Sequence, residues 1–250
     1  MDEKYNAICL KKTSYKDSGE MLTLFTLERG IVNCALMGAR SPKAKLRFSG
    51  ETFCFAEYVL AEKADRRTVK EATQIDSFYG IREDLDRYYC AAAVIEFILN
   101  VVYAGESNYE LFLATVKSLK AIEVGEKPKL ALVAFYIKAL NAIGYMIDFS
   151  SCHNCGAEVE GRAFFDFDNS SALCKNCATQ GSTEMKIDTF SLIKETSSHE
   201  LDFYQKGDLS TYSPTFSDDK SIVNALKFLN YYIVVNLGVT IKTNKTLIEN

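Results

Sequence analysis

Cys152-His153-Asn154-Cys155, followed after 18 residues by Cys174-Lys175-Asn176-Cys177, is a pair of Cys-x2-Cys motifs in one short stretch. Two intervening residues let the backbone curl so that both sulfurs of a pair reach one ion. Two pairs bring four thiolates to one point, which is what a structural zinc site requires. Gly156 follows the first pair, where a tight turn calls for a residue tolerant of positive φ. Residues 162–167 have strand character, and Asn169-Ser170-Ser171 reads as a turn. The expected layout is a zinc ribbon, with one structural ion held by Cys152, Cys155, Cys174 and Cys177. The alternatives are two disulfides or four unrelated buried thiols. Disulfides suit secreted chains, and Met1-Asp2-Glu3-Lys4 has acids and no apolar stretch, so it does not read as a signal peptide. His153 lies inside the first knuckle and, with four thiolates at hand, reads as a bystander.

On the N-terminal side, residues 1–80 read as short strands separated by Gly, Asp or Ser: 5–11, 21–27, 31–37, 52–60 and 68–74. Five strands in this length suit an OB-type barrel, whose open face often binds oligonucleotides. Between the third and fourth strands lies Gly38-Ala39-Arg40-Ser41-Pro42-Lys43-Ala44-Lys45-Leu46-Arg47-Phe48-Ser49-Gly50, with four cations and no acid. Arg40, Lys43, Lys45 and Arg47 are suited to neutralise phosphates without specifying sequence, and Phe48 to offer a stacking face. The other reading is a solvated loop whose charge keeps the surface soluble. Lys11-Lys12 and Arg66-Arg67 sit at other strand ends and extend the candidate patch.

From about residue 82 the apolar period changes from two to 3.6. Leu85, Tyr88, Tyr89, Ala92, Ile95, Leu99 and Val102 form one helical stripe, ended by Gly105. Ser107-Asn108-Tyr109-Glu110 fits a capping box with Ser107 as N-cap, opening a helix through Ile122. Leu130, Val133, Ala134, Ile137, Leu140 and Gly144 make a third stripe. After the cysteines come a short helix at 188–196, an irregular stretch at 199–213, and a last helix capped by Ser217-Asp218-Asp219. Residues 239–250 are polar and are expected to fray. The fold class expected is α+β: an OB-type β-barrel over residues 1–80, then a helical bundle over 81–250 with the zinc module inserted at about 150–180.

The composition bounds the function. Among 250 residues, 48% are hydrophobic and 25% charged, which is ordinary globular usage. The net charge of −4 is unevenly spread: residues 1–80 carry 13 basic and 11 acidic groups, the rest 16 and 22. No apolar run is long enough to span a membrane, and the cytoplasm is the expected location. Cys9, Cys34, Cys54 and Cys90 stand singly in apolar segments and read as small buried hydrophobes. Only His153 and His199 are present, so a histidine-based triad or metal centre has little material. No phosphate-cradling G-x-x-x-x-G-K-[ST] loop occurs. Asp84, Asp86, Asp166 and Asp168 are the only nearby carboxylate pairs that suggest a metal-dependent nuclease. A non-enzymatic binding protein is favoured, either a DNA-binding protein or a zinc-ribbon RNA-binding or transcription-associated adaptor. A plain protein-docking scaffold remains a third reading.

Three segments resemble the RecO family of bacterial recombination mediators. The first is Thr13-Ser14-Tyr15-Lys16-Asp17-Ser18-Gly19-Glu20 with Leu24-Phe25-Thr26-Leu27-Glu28-Arg29-Gly30 and Gly38-Ala39-Arg40. The second is Phe135-Tyr136-Ile137-Lys138-Ala139-Leu140 with Ile143-Gly144-Tyr145 and the first knuckle. The third is Leu173-Cys174-Lys175-Asn176-Cys177, so the resemblance covers roughly residues 1–180 in order. It implies binding to single- and double-stranded DNA, annealing of complementary strands, and work with RecR to load RecA on strands coated by single-strand-binding protein (SSB). It implies no nucleotide hydrolysis and no small-molecule substrate. The family's basic DNA-binding residues fall on Arg40 and, beside it, Lys43, Lys45 and Arg47. A docking site for the SSB tail is implied in the helical domain, and association with the nucleoid during repair. Where the family has a glycine pair before the second knuckle, this chain has Ser170-Ser171.

Overall fold

The computed structural model describes residues 2–16, 18–41, 44–63, 66–198 and 218–249. The stretch read as irregular from 199 onward and the cation Lys43 lie outside the described residues.

Five strands, β1 (Asp2–Tyr15), β2 (Gly19–Thr26), β3 (Gly30–Leu36), β4 (Phe55–Lys63) and β5 (Arg66–Asp76), close into a barrel in the order β1-β2-β3-β5-β4. All pairs are antiparallel except β3 with β5, which meet in parallel at Ala35 and Thr68. This is the five-stranded OB-like architecture that the strand pattern calls for. Tyr5, Ala7, Cys9, Leu22, Leu24 and Tyr58 fill the interior. Cys9, Cys34 and Cys54 are buried there, and burial pushes the Cys34 and Cys54 thiols up to about 12 and about 11. They pack as small hydrophobes and are poor nucleophiles.

One irregularity in β1 decides which lysine faces where. The register with β2 shifts between Cys9, opposite Leu24, and Lys11, opposite Thr23. Leu10 is the extra residue and turns into the helical core. A bulge of this kind changes the parity of the strand. Lys11 therefore shares the outer side of Thr23, and Lys12 shares the side of Leu22 at the barrel's end.

The helices follow as α1 (Leu85–Val101), α2 (Tyr109–Val124), α3 (Pro128–Ala142), α4 (Ile187–Ser198), α5 (Asp219–Leu237) and α6 (Lys242–Glu249). Helix α3 is central: Leu132, Val133, Phe135, Tyr136, Ala139 and Leu140 are buried around its whole circumference. The stripe assigned to α1 is corrected. Leu85 is 74% exposed and Tyr88, Tyr89 and Leu99 are also exposed, whereas Cys90, Ala91, Ala93, Val94, Phe97 and Ile98 are buried. Helix α1 touches α2, α3 and α6, so its buried arc is wider than and rotated from a single stripe. The capping box is corrected too. Asn108, not Ser107, is the N-cap of α2, and its Oδ1 accepts a hydrogen bond from the Leu111 N–H at 2.9 Å.

The C-terminal segment expected to fray is instead helix α6. Its first turn is capped from outside, because Glu96 of α1 accepts hydrogen bonds from the Lys242 and Thr243 N–H groups at 2.9 and 3.0 Å and from Thr243 Oγ1 at 2.7 Å. Asn244 is buried, accepts from the Tyr136 hydroxyl at 2.8 Å and donates to Asn230 at 3.0 Å. Burial raises the Glu96 pKa, but these hydrogen bonds outweigh it and hold the carboxyl below its ordinary value. A folded-state pKa below the unfolded one contributes stability at neutral pH that is lost as pH falls through the folded value. Glu96→Ala is expected to cost about 1–2 kcal/mol at neutral pH and to speed amide exchange in α6. The difference from the parent protein should shrink on acidification below the ordinary carboxylate range. Unchanged α6 exchange in the variant would sink the assignment.

The outer face of the barrel packs into the helical core, while the barrel interior is a cluster of its own. Ile8, Leu10, Phe25 and Phe53 leave the barrel surface to pack among helical residues, with Phe25 and Phe112 ring centroids 5.2 Å apart. The turn after β2 is stitched to the α1–α2 connection by Gly105 N–H to Arg29 C=O at 2.9 Å and Ile31 N–H to Tyr103 C=O at 3.3 Å. At the end of β5, Lys120 of α2 reaches Asp76 at 3.1 Å and, within α2, Glu123 at 2.7 Å.

Candidate functional site

The two cysteine pairs meet. The sulfurs of Cys152, Cys155, Cys174 and Cys177 all lie within 4.8 Å of one another, and the four can hold a metal ion. Among the described residues this is the only cluster of three or more His, Cys, Asp or Glu side chains with that property. Each knuckle is closed by its own backbone: Gly156 N–H donates to Cys152 C=O at 2.8 Å, and Ala178 N–H to Cys174 C=O at 3.0 Å. Gly156 has φ +71°, as the turn demands. Burial opposes ionisation of Cys152, but the N–H groups of Cys174, Cys155 and Asn154 outweigh it and bring that thiol down to about 6. Hydrogen bonds from the Cys177 thiol to the Cys155 and Cys174 sulfurs favour its protonated form and hold it up at about 12. A thiol that ionises readily amid sulfur donors is the chemistry of a thiolate metal site. His153 is exposed and outside the cluster.

Between the knuckles, β6 (Ala163–Asp166) and β7 (Ser171–Cys174) form the expected hairpin, and β8 (Thr183–Met185) adds a third strand beside β6. Asp166 accepts from the Asp168 and Asn169 N–H groups and from Asn169 Nδ2, so it shapes the hairpin turn. Asp84 is the N-cap of α1. Two of the four carboxylates considered for a nuclease, Asp84 and Asp166, thus have structural tasks. Aromatic packing fastens the module to the helices: Phe165 lies 5.4 Å from Phe149 and 4.9 Å from Phe228, and the Tyr232 hydroxyl bonds Ser170 Oγ at 2.7 Å.

The cations expected to form a patch are sorted by the barrel. A groove of about 310 Å³ lies on the outer surface where β1, β2, β3 and β5 come together. It is lined by Tyr15 and Lys16 at the end of β1, Met21, Asn33, Ala35 and Met37, and by Arg66, Arg67 and Thr68 at the start of β5. No acidic residue is among the described residues that line it. Lys11 lies on the same outer side, opposite Thr23. Arg40 is exposed, and its N–H donates to Ser18 C=O at 3.2 Å, which ties its loop to the β1–β2 turn beside the groove. Arg67 lines the groove while its guanidinium also meets Glu62 at 3.1 Å.

Other expected members stand elsewhere. The Lys12 ammonium is held by Glu51 at 3.0 Å and Glu20 at 4.0 Å at the barrel's end, away from the groove. Phe48 is half-buried and packs on the barrel core with Leu46, because residues 47–50 form a 3₁₀ turn that accepts the Tyr58 hydroxyl on Ser49 C=O at 2.6 Å. It is a core plug before it is a stacking face. Lys45 and Arg47 are exposed on this segment but do not line the groove. Sequence reasoning missed Tyr15, Lys16, Met21 and Met37. The signal available was topological: in a five-stranded barrel of this type the β1–β2 and β4–β5 loops border the binding face.

The family described as Recombination protein O N terminal matches residues 1–78, and Recombination protein O C terminal matches residues 82–245. The chain is similar to the DNA repair protein RecO of Desulforamulus reducens, 29% identical over 240 residues, covering 95% of this chain and 92% of that one. The DNA repair protein RecO of Desulfitobacterium hafniense is 32% identical over 179 residues, 71% of this chain and 65% of that one. That of Clostridium novyi is 30% identical over 193 residues, 76% and 75% respectively.

Proposed function

The chain belongs to the RecO family, and on that premise we propose that it is a non-enzymatic DNA-binding mediator of recombinational repair. In this reading it binds single- and double-stranded DNA, anneals complementary strands and, with RecR, helps to load RecA onto strands coated by SSB. Residues 1–80 are the DNA-binding unit and residues 81–250 the docking unit, where the SSB tail is engaged. The protein acts in the cytoplasm and joins the nucleoid when active. Among the described residues, no helix is long and apolar enough to cross a membrane.

The observation that carries the reading is the groove with Lys16, Arg66 and Arg67 along one side of an OB-like barrel, in which no acid stands among the described lining residues. Cations spaced over strand ends track a phosphate backbone and release its counterions, so binding is sequence-tolerant and salt-sensitive. Annealing then has a physical basis, since two strands whose phosphates are neutralised on one protein repel each other less. The four cysteines hold zinc in this reading, because a four-thiolate tetrahedral set suits that ion and leaves no position for activated water. The metal's contribution is to the fold.

Lys16→Glu combined with Arg66→Glu is expected to weaken oligonucleotide binding across sequences and make the salt slope on single strands shallower by about 1.4, from two lost phosphate contacts. Lys12→Glu should change little, since that ammonium is already paired with carboxylates. Unchanged affinity of the double variant in a fluorescence titration removes the groove from the mechanism. An annealing assay on SSB-coated strands, with and without RecR, tests the mediator role. Stronger binding to RNA than to DNA in competition would instead favour an RNA adaptor.

A further inference from the structure

We propose that the groove's apolar half is a pocket for one unpaired nucleobase, so that this face prefers single strands to duplex. The proposal rests on the reading of the groove as the DNA-binding face.

Phosphate contacts alone do not need what lies here. Tyr15 and the thioethers of Met21 and Met37 line the same groove as the cations. Met37 is 50% exposed, an unusual place for a long apolar side chain with no partner to cover it. Its position is set: Tyr15 pairs with Gly19 across the β1–β2 hairpin, and a side-chain carbon added at Gly19 would lie 3.6 Å from Met37 Sδ. The sulfur thus lies close to the β1–β2 hairpin, at ordinary contact distance from where such a carbon would stand. Met21 sits two residues along, opposite Ala35, whose small side chain keeps the floor low. Thioethers are polarisable and adapt to flat aromatic partners.

Charge and ring arrive together. Lys16 Nζ stands 5.2 Å from the Tyr15 ring centroid. A base laid on Tyr15 and the methionines would put its own phosphate near this ammonium, with Arg66 across the groove for the next one. The groove volume of about 310 Å³ is at the small end of ligand pockets, right for one planar group and too small for a stacked pair. A paired base is held in its stack and cannot enter, whereas every unpaired base offers a π-face. Phe48, packed on the barrel core, leaves this role to Tyr15.

The test uses the full chain and three labelled probes: an oligothymidine strand, a duplex of equal length, and an abasic strand with the same phosphates. Tyr15→Ala should weaken binding to the oligothymidine strand about tenfold and leave duplex and abasic affinities unchanged. Tyr15→Phe should bind as the parent does, and Met37→Ala should reproduce part of the loss, which guards against a folding defect at one site. Equal loss on all three probes, or no loss on the oligothymidine strand, overturns the pocket. Loss from Lys16→Glu on every probe with none from Tyr15→Ala overturns the pocket alone. Failure of the parent protein to bind any probe overturns both the pocket and the DNA-binding reading beneath it.

Discussion

Replacing Cys152 with serine is expected to abolish metal binding at the four-cysteine cluster and, with it, about 3–5 kcal/mol of stability. Cys152 is the buried member of the four, and backbone N–H groups from both knuckles converge on its sulfur. Serine offers a hard, protonated oxygen in place of a thiolate, which leaves three ligands and a weakened site. The free energy of binding the ion is folding energy for the cysteine module, whose strands hold only four, four and three residues. For a chain of this length the loss should lower the melting temperature by roughly 10 °C. Elemental analysis and calorimetry read the two effects separately. His153→Ala is the control, because that side chain is exposed and outside the sulfur cluster. A Cys152→Ser protein with a full complement of zinc and an unshifted melting curve would end the structural-metal reading. The barrel should stay folded in the variant, since its core is a cluster separate from that of the helices and module.

Gly30→Ala is the second large effect. Gly30 has φ +62°, where a side chain costs about 1–2 kcal/mol. An added carbon would lie 2.4 Å from the Glu106 carbonyl oxygen and 2.5 Å from that of Tyr103. Neither backbone atom can rotate away as a flexible side chain would. Opening the junction to admit the carbon adds about 1–3 kcal/mol of strain and threatens the bonds from Gly105 to Arg29 and from Ile31 to Tyr103. The sum is about 2–5 kcal/mol. Hydrogen exchange should localise it: the Gly105 and Ile31 amides lose protection first, while barrel amides in β4 and β1 stay slow. Wild-type protection at both amides, with an unchanged melting temperature, would mean that the barrel and helices are not locked at this point. The functional consequence is directional. Loosening the junction should spare oligonucleotide binding by the barrel and impair any activity in which barrel and helices act on one substrate.

Much of the architecture was legible before any coordinates. Tyr5, Ala7 and Cys9 alternate into the barrel as the period-two pattern states, and Ile222, Ala225, Leu226, Leu229 and Ile233 mark the buried face of α5. Elements were misread where their stability comes from distant partners. Helix α6 is polar in sequence, and what makes it a helix is the Glu96 carboxylate at its first turn and Tyr136 beneath Asn244. The α1 stripe failed because the helix contacts α2, α3 and α6, and its tyrosines stand at the boundary with solvent. Charge density drew attention to residues 38–50, yet within that loop Phe48 packs inward and Lys45 and Arg47 miss the groove.

The sequence by itself determined the four-cysteine cluster and the strand content, because thiol spacing and residue alternation act over a few neighbouring residues. Cys152, Cys155, Cys174 and Cys177 converge as their spacing requires. Only the tertiary structure decided which cations and which aromatic share a surface. Tyr15, Lys16, Met37 and Arg66 come from three separate strands and their turns, and they meet through barrel closure and the parallel β3–β5 contact. Even the separation of Lys11 from Lys12 depends on a single bulged residue that sets strand parity. Such a juxtaposition is a property of register and closure, and these are settled by burying the barrel core rather than by any local preference of the residues that end up on its face.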